Sequence, residues 1–309
     1  MTDILIPGGK DYPALIGDDD LPFENAGILK TTGFELQAKW SDKLANGFSY
    51  SVGVALSDDK AKVVSYPSNP TNKIGDGVLY KGYTVGDIWG YVTGGILQEG
   101  DFDGVGANGK PLYHGPYFKG GQAYPGYVWY KDLDNDGVIT SGLSTVGDPG
   151  DRKVIGNNSP RYRYNVTANF QYKGFDLDLM FQGVGKRDYW LSSVSSYWGN
   201  GAGSWETYNN SWTPERTDAK FPMYGSGLGS YAQTGYLLDA SYIKLKQVIL
   251  GYTFPKMLIN KIGLQKLRLN VAAYNLFTIS DMPKYYDADY LSDAYPPKRT
   301  FSVGIQVGF

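Results

Sequence analysis

The feature that most restricts this chain is a two-residue rhythm of apolar and polar side chains, set out in seven segments. Phe34, Leu36 and Ala38 alternate with Glu35, Gln37 and Lys39, and Phe48, Tyr50, Val52, Val54 and Leu56 with Ser49, Ser51, Gly53 and Ala55. Tyr162, Tyr164, Val166, Ala168, Phe170 and Tyr172 oppose Arg163, Asn165, Thr167, Asn169 and Gln171. Phe175, Leu177, Leu179 and Phe181 oppose Asp176, Asp178 and Gln182. A less regular run at 241–253 sets Ile243 and Leu245 against Lys244 and Lys246, and Leu267, Leu269, Val271 and Ala273 face away from Arg268 and Asn270. The cleanest run comes last, with Phe301, Val303, Ile305, Val307 and Phe309 against Ser302, Gly304, Gln306 and Gly308. Successive side chains of a strand point to opposite faces, so each run reads as a strand with one apolar and one polar face. Residues 3–6 read as the tail of a further strand.

Alternation alone suits a soluble sandwich as well as a membrane wall. The connections separate the two. Short links near 41–47, at Lys173-Gly174 and at 254–266 alternate with long ones at about 57–160, 186–240 and 279–299. Compact soluble domains rarely hold structureless connections of that length. Short periplasmic turns and long extracellular loops are the layout of a transmembrane barrel, whose strands set an apolar lipid face against a polar lumen. The expected fold is therefore all-β, an antiparallel transmembrane β-barrel. Its last strand descends from a long loop and ends on the periplasmic side at Phe309, an aromatic terminus suited to the signal that barrel-assembly machinery reads. Eight strands can close a small barrel, but small barrels do not need loops of this bulk. The chain reads as a piece of a larger one, which would leave open sheet edges if it stood alone in a bilayer.

Composition narrows the chemistry. The 27 Tyr, 7 Trp and 13 Phe suit membrane interfaces and sugar-binding surfaces equally. A net charge of -2 without charged blocks gives no reason to expect nucleic acid. There is no Cys, and the single His114 sits in a loop-like Tyr-His-Gly-Pro context. Nucleophile–base pairs and zinc sites thus lack their usual residues, and no enzyme is expected. No stretch reaches the ~20 apolar residues of a spanning helix. The start lacks a signal-peptide pattern, which points to a fragment or an internal start.

Further segments carry a resemblance. Glu24-Asn25-Ala26-Gly27 is followed by Thr32-Gly33-Phe34-Glu35-Leu36. Gly90-Tyr91-Val92-Thr93-Gly94-Gly95-Ile96, Tyr130-Lys131-Asp132-Leu133-Asp134-Asn135-Asp136-Gly137 and Val154-Ile155-Gly156-Asn157 come next. Tyr172-Lys173-Gly174-Phe175-Asp176-Leu177 with Phe181-Gln182-Gly183, then Ser211-Trp212-Thr213-Pro214-Glu215, follow. Ala240-Ser241-Tyr242-Ile243-Lys244-Leu245-Lys246, Gly251-Tyr252-Thr253-Phe254-Pro255 and Tyr274-Asn275-Leu276-Phe277 complete the series. In this order the set resembles the C-terminal portion of SusC/RagA-type TonB-dependent outer-membrane transporters of Bacteroidetes-like bacteria. The resemblance implies a barrel of about 22 strands whose N-terminal plug and TonB-contacting segment are missing from residues 1–309. It also implies import of glycan or peptide fragments, TonB as energy source and a SusD-like surface lipoprotein as lid.

One segment carries recognisable ligand chemistry. Asp132, Asp134 and Asp136, with Gly137 and the carbonyl of Val138, match the first half of a calcium loop. Ca²⁺ takes about six to eight hard oxygens, and this spacing delivers about four. The position of the bidentate glutamate of an EF-hand is held by Leu143, so Asp148 or Asp151 is the candidate to complete the set. The expected role is a structural staple, against the blander reading of a solvated Asp-rich turn. Loop aromatics Trp89, Tyr91, Trp190, Trp198, Trp205, Tyr208 and Trp212 are candidates for sugar stacking or lid contact, with loop packing the commoner fate. Polar residues Arg163, Asn165, Gln171, Asp176, Asp178 and Asn270 are expected to face a substrate path. The competing reading is a soluble, calcium-stapled β-domain that binds carbohydrate, in which the apolar faces would form a protein core.

Overall fold

The computed structural model describes residues 1–7, 23–190, 205–226, 231–283, 286–291 and 297–309. The expected strands form one antiparallel sheet in sequence order: β1 Ile4–Pro7, β2 Phe23–Lys43, β3 Ser49–Ser65, β4 Arg161–Tyr172, β5 Phe175–Lys186, β6 Tyr242–Thr253, β7 Lys266–Ser280 and β8 Thr300–Gly308. Two boundaries differ from the alternation. β2 starts eleven residues before Phe34, and β3 runs nine residues past Leu56 to Ser65. Those extensions lack a two-residue rhythm because their side chains meet other protein groups: Val63 of β3 belongs to a buried cluster against which Leu29 of β2 packs.

Two compact units divide the chain. One contains Thr32–Lys60, Pro160–Asp188 and Asp239–Phe309, and holds the sheet from β2 to β8. Its register sorts most side chains along the central strands, with Met180, Val184 and Ile249 among the apolar members of the polar face. Tyr50, Phe170, Leu177, Leu250 and Val271 fall on one face, since each is the Cα partner of the next or its neighbour. Ser51, Asn169 and Asp178 fall on the other, as do Gln171, Asp176, Gly251, Asn270 and Gly304. The apolar face carries large exposed side chains. Val303 is 76% exposed, Ile305 68% and Trp40 67%, and Leu36, Leu250 and Val271 are also exposed. Covering each such side chain is worth about 1.5–3 kcal/mol, so a face of this kind left in water would be a large liability.

Aromatic rings crowd the short-turn end of that same face. Phe175 and Tyr252 lie 4.5 Å apart, Tyr252 and Phe254 4.9 Å, and Phe48 approaches Tyr50, Phe170 and Tyr172 at 6.1–6.3 Å. Aromatic girdles of this kind mark the membrane–water boundary of barrel walls. Two turns are built differently at this end. The β4–β5 hairpin uses Lys173 (φ 47) and Gly174 (φ 87), a left-handed pair whose twist matches the flanking strands. The β6–β7 link folds into a helical turn, Lys256–Ile259 and Asn260–Ile262, ended by Gly263 at φ 75.

The other unit contains Met1–Thr31, Ala61–Ser159 and Tyr189–Leu238. Its long connection is not structureless. Asp87–Tyr91 pairs with Arg152–Asn157, Thr93–Ile96 with Val128–Tyr130, and Phe102–Val105 with Pro111–Tyr113. Tyr91, Val128, Tyr130 and Ile139 form one buried cluster, and Val63, Ile74, Tyr80 and Tyr83 another. The Gly/Tyr-rich sequence hides these strands because each is only two to six residues long, too short for a rhythm to show.

The hairpin gives a direct test. A Cβ on Gly174 would meet the Thr253 carbonyl at 2.7 Å, and a left-handed L-residue costs about 1–2 kcal/mol. Gly174→Ala in the assembled barrel should lower the unfolding free energy read from urea titration by that amount or more, and the midpoint with it. An unchanged midpoint would remove the hairpin geometry.

Candidate functional site

The polar face of the sheet carries fixed charges at both ends. Near the short turns, the guanidinium of Arg268 on β7 reaches across β6 to the Asp176 carboxylate on β5, with Nε donating at 3.2 Å and a closer second bond from Nη2. The bridge passes over Gly251, where a Cβ would collide with both partners. Beside it, Asn169 donates to Asp178, and Gln171 to Asn169 at 3.3 Å. With Lys43, Ser49 and Thr253 these groups line a cavity of about 540 Å³.

Near the long connections, Arg161 forms a two-point bridge to Asp58 at 2.5 Å and 2.5 Å, and Tyr162 N–H adds a bond at 3.2 Å. Arg163 pairs with Asp59. Lys244 on β6 is 1% exposed and donates to both oxygens of Asp287, at 2.7 and 2.8 Å, and to Asp289 at 3.4 Å. Lys246 and the Tyr242 hydroxyl each donate to Asp289 at 2.6 Å. Lys244 and Lys246 stand two residues apart, the spacing that puts side chains on one face of a strand, so both can serve one carboxylate; register shifts at 180/181 and 245/247 place a bulge at Lys246. A groove of about 660 Å³ opens here, lined by Glu35, Gln37, Arg163, Asn165, Gln182 and Asp289 among others. All six residues expected along a substrate path, Arg163, Asn165, Gln171, Asp176, Asp178 and Asn270, share this face. The Asp287/Asp289 tether went unseen, since a lone Asp-x-Asp in a loop gives no sign of which strand it will meet.

Within the other unit, the carboxylate oxygens of Asp132, Asp134 and Asp136 lie within 4.8 Å of one another. Asn135 (φ 63) and Gly137 (φ 85) turn the backbone sharply, so that Asp132 accepts from the N–H groups of Asn135 at 2.6 Å and Gly137 at 2.8 Å. Asp134 accepts from Asp136 N–H, and Asp136 from Val138 N–H. Asp151 is fully buried and closes the loop from behind, accepting from Leu133 and Thr140 N–H at 2.7 Å each. Partial desolvation pushes the Asp132 carboxyl up, but the N–H groups of Gly137 and Asn135 outweigh it and hold it below the ordinary value. Desolvation, helped by the neighbouring carboxylates, pushes Asp134 up. Asp148 lies apart from the trio's bonds, accepting from Leu143 N–H at 3.2 Å.

The loop aromatics divide. Trp89 donates to the Tyr80 hydroxyl at 2.9 Å, Tyr91 is buried against Tyr130 and Phe118, and Trp212 is buried with its indole N–H on Gln98 at 2.9 Å. Tyr91 and Trp212 are core, and Trp89 packs, partly buried, against a core cluster. Trp205 and Tyr208 are exposed, 5.9 Å apart edge to face. Trp190 is half-buried, and Trp198 lies outside the described residues. His114 is an exposed loop residue beside Asp103 at 3.0 Å.

Comparison with known proteins gives a consistent picture. No family model matches the chain. TonB-dependent receptor P3 of Formosa agariphila is 28% identical over 335 residues, covering 99% of this chain and 31% of that protein. TonB-dependent receptor SusC of Bacteroides thetaiotaomicron is 23% identical over 324 residues, covering 100% of this chain and 29% of that protein. Among solved structures, the RagAB peptide importer in its open-open state superposes with a TM-score of 0.68 at 19% identity, over 100% of this chain and 31% of that one. The RagAB peptide transporter gives 0.68 at 20% identity, over 100% and 32%. The chain thus spans less than a third of each of these proteins, and each of them is a receptor or transporter by name.

The tether makes a measurable claim. Removing one partner of a buried ion pair costs about 3–5 kcal/mol because it strands the others. Lys244→Met in the assembled barrel should therefore free the segment 286–291 to protease. Desolvation raises the Asp289 carboxyl, but Lys246, Tyr242 and Lys244 together lower it below 3.8. Its contribution is then complete above that value and is lost only as pH falls through the depressed folded value. Protection of 286–291 should stay flat from neutral pH down to about 4. Loss of protection near pH 6 would contradict the assignment.

Proposed function

We propose that this chain, a SusC/RagA-like portion of a TonB-dependent transporter, supplies part of the wall of an outer-membrane import barrel of about 22 strands. The observation that carries the reading is the sorting of the two faces. Apolar side chains gather on one side of the sheet, where Leu36, Leu250, Val271, Val303 and Ile305 are exposed, while charged and amide groups gather and pair on the other. That is the order a wall needs between lipid and a wet lumen. A soluble carbohydrate-binding domain would need the reverse, with Leu250, Val271, Val303 and Ile305 inside a core. Facing inward, Arg163, Asn165, Gln171 and Asn270 would offer hydrogen bonds to a passing polar solute.

The cargo on this reading is a glycan or peptide fragment, as the names of the RagAB structures suggest for the second class. A SusD-like lipoprotein would cover the long connections, and TonB would act through segments outside residues 1–309. We also propose that the Asp-rich loop holds Ca²⁺ through Asp132, Asp134 and Asp136, with the Val138 carbonyl adding an oxygen and Asp151 fixing the loop behind them. Clustered carboxylates and a turn built on Gly137 support it. When bound, the ion would neutralise like charges that otherwise repel.

Two experiments test these readings. Val303 and Ser302 are both exposed neighbours on β8, on opposite faces. In bilayers, Val303→Arg should cost about 2–4 kcal/mol if it meets hydrocarbon, and Ser302→Arg no more than about 0.5 kcal/mol. Equal, small costs would sink the wall assignment. For the metal, chelation should speed proteolysis between 131 and 152, with Ca²⁺ but not Mg²⁺ restoring protection. The Asp132→Asn/Asp134→Asn variant should be cut fast in either condition. A wild-type rate indifferent to Ca²⁺ would dismiss the ion.

A further inference from the structure

The β6–β7 link is built inside out for a turn in water. Ile259 is buried, yet Met257 is 78% exposed, Ile262 67% and Leu258 54%. Pro255, Gly263 and the Leu264 N–H bond to the Ile259 carbonyl at 3.1 Å fix this arrangement, so the exposure is part of a defined fold. Charge follows a matching rule. The three short connections, 44–48, 173–174 and 254–265, hold Lys173, Lys256 and Lys261 and no carboxylate, and Lys43 and Lys266 stand at the adjoining strand ends. By contrast 66–160 mixes both signs, with Asp76, Asp87, Glu99, Asp101 and Asp103 among Lys73, Lys81, Lys110 and Lys119.

We infer that the link 254–265 is an interfacial anchor for anionic phospholipid in the leaflet at the short-turn end of the wall, with Met257, Leu258 and Ile262 in the headgroup–acyl boundary and Lys256 and Lys261 at the phosphates. The inference rests on the membrane reading above and adds a lipid preference to it. Two features select lipid as the occupant. The link continues directly from the girdle of Phe175, Tyr252 and Phe254, and it enters β7 at Leu267, which shares the apolar face with Leu269 and Val271. Its charge is purely positive, the complement of an acidic headgroup surface, and a short amphipathic element with lysines beside large apolar side chains binds such a surface. Lysines here also suit snorkelling, stems along the hydrocarbon and ammonium groups in the headgroups.

This chain has no Cys, so single labels can be placed in it within the assembled transporter. Leu258→Cys, Asn46→Cys and Val271→Cys would carry a fluorophore in bilayers of equal parts phosphatidylethanolamine and phosphatidylglycerol, quenched by spin-labelled phosphatidylglycerol or spin-labelled phosphatidylcholine. The label at 258 should be quenched at headgroup depth, with phosphatidylglycerol the better quencher. Lys256→Gln and Lys261→Gln should each reduce that preference, by up to about five-fold per charge. Quenching at 258 no stronger than at 46, with 271 still quenched from the acyl chains, would overturn the anchor and leave the wall intact. Quenching at 258 by both lipids alike, unmoved by the lysine changes, would overturn the anionic preference. Failure of the label at 271 to meet acyl chains would instead break the membrane reading on which the proposal stands.

Discussion

Everything in this molecule depends on a backbone that satisfies its own hydrogen bonds while its side chains sort to two faces. In hydrocarbon an unpaired N–H or C=O has no water to turn to, so a wall must pair strand to strand along its whole width. β4, β5, β6 and β7 do this with antiparallel registers on both sides, interrupted by the bulge at Lys246. Once those registers are set, the period of two does the rest. A slip of one residue would turn Phe170 and Leu177 inward and Asn169 and Asp178 outward, which explains why the turns are so tightly specified at Lys173-Gly174.

The polar face is held by ion pairs that run across strands. Arg268 and Asp176 join β7 to β5 over the bare backbone of Gly251, and Arg161 with Asp58 joins β4 to β3. Such pairs add modest stability at a wet surface. Their stronger effect is on shape, since a bidentate fork allows one geometry. The Lys244 cluster differs, because a nearly sealed ammonium ties a long connection to the wall through two carboxylates. Movement of that connection would require breaking the bridge to Asp287 and the bonds of Lys246 and Tyr242 to Asp289 together.

The sequence made much of this legible, for physical reasons. Lipid-facing strands must alternate cleanly, so 162–172 and 301–309 could be read with their faces. The ends of β2 and β3 could not, because protein neighbours rather than lipid choose the residues there. Short strands such as Thr93–Ile96 and Val128–Tyr130 were hidden by length alone. Asp132, Asp134 and Asp136 converge because their spacing is local, and Asp151 joins from behind. Asp287 and Asp289 meet Lys244 only through folding, and no spacing announces that. Tyr91 and Trp212 show that an aromatic in a long connection is as readily core as contact surface.

The most direct measurement is a cysteine scan along β4, residue by residue from 163 to 170, in the transporter embedded in lipid bilayers. Each site would be reacted with a charged, water-borne thiol reagent and, separately, tested for quenching by acyl-chain spin labels. The account requires reagent labelling at 163, 165, 167 and 169 and acyl-chain quenching at 164, 166, 168 and 170, in strict alternation. Quenching absent at the even positions, or labelling equal at all eight, would mean that the apolar face meets protein or water, and the wall assignment would fall.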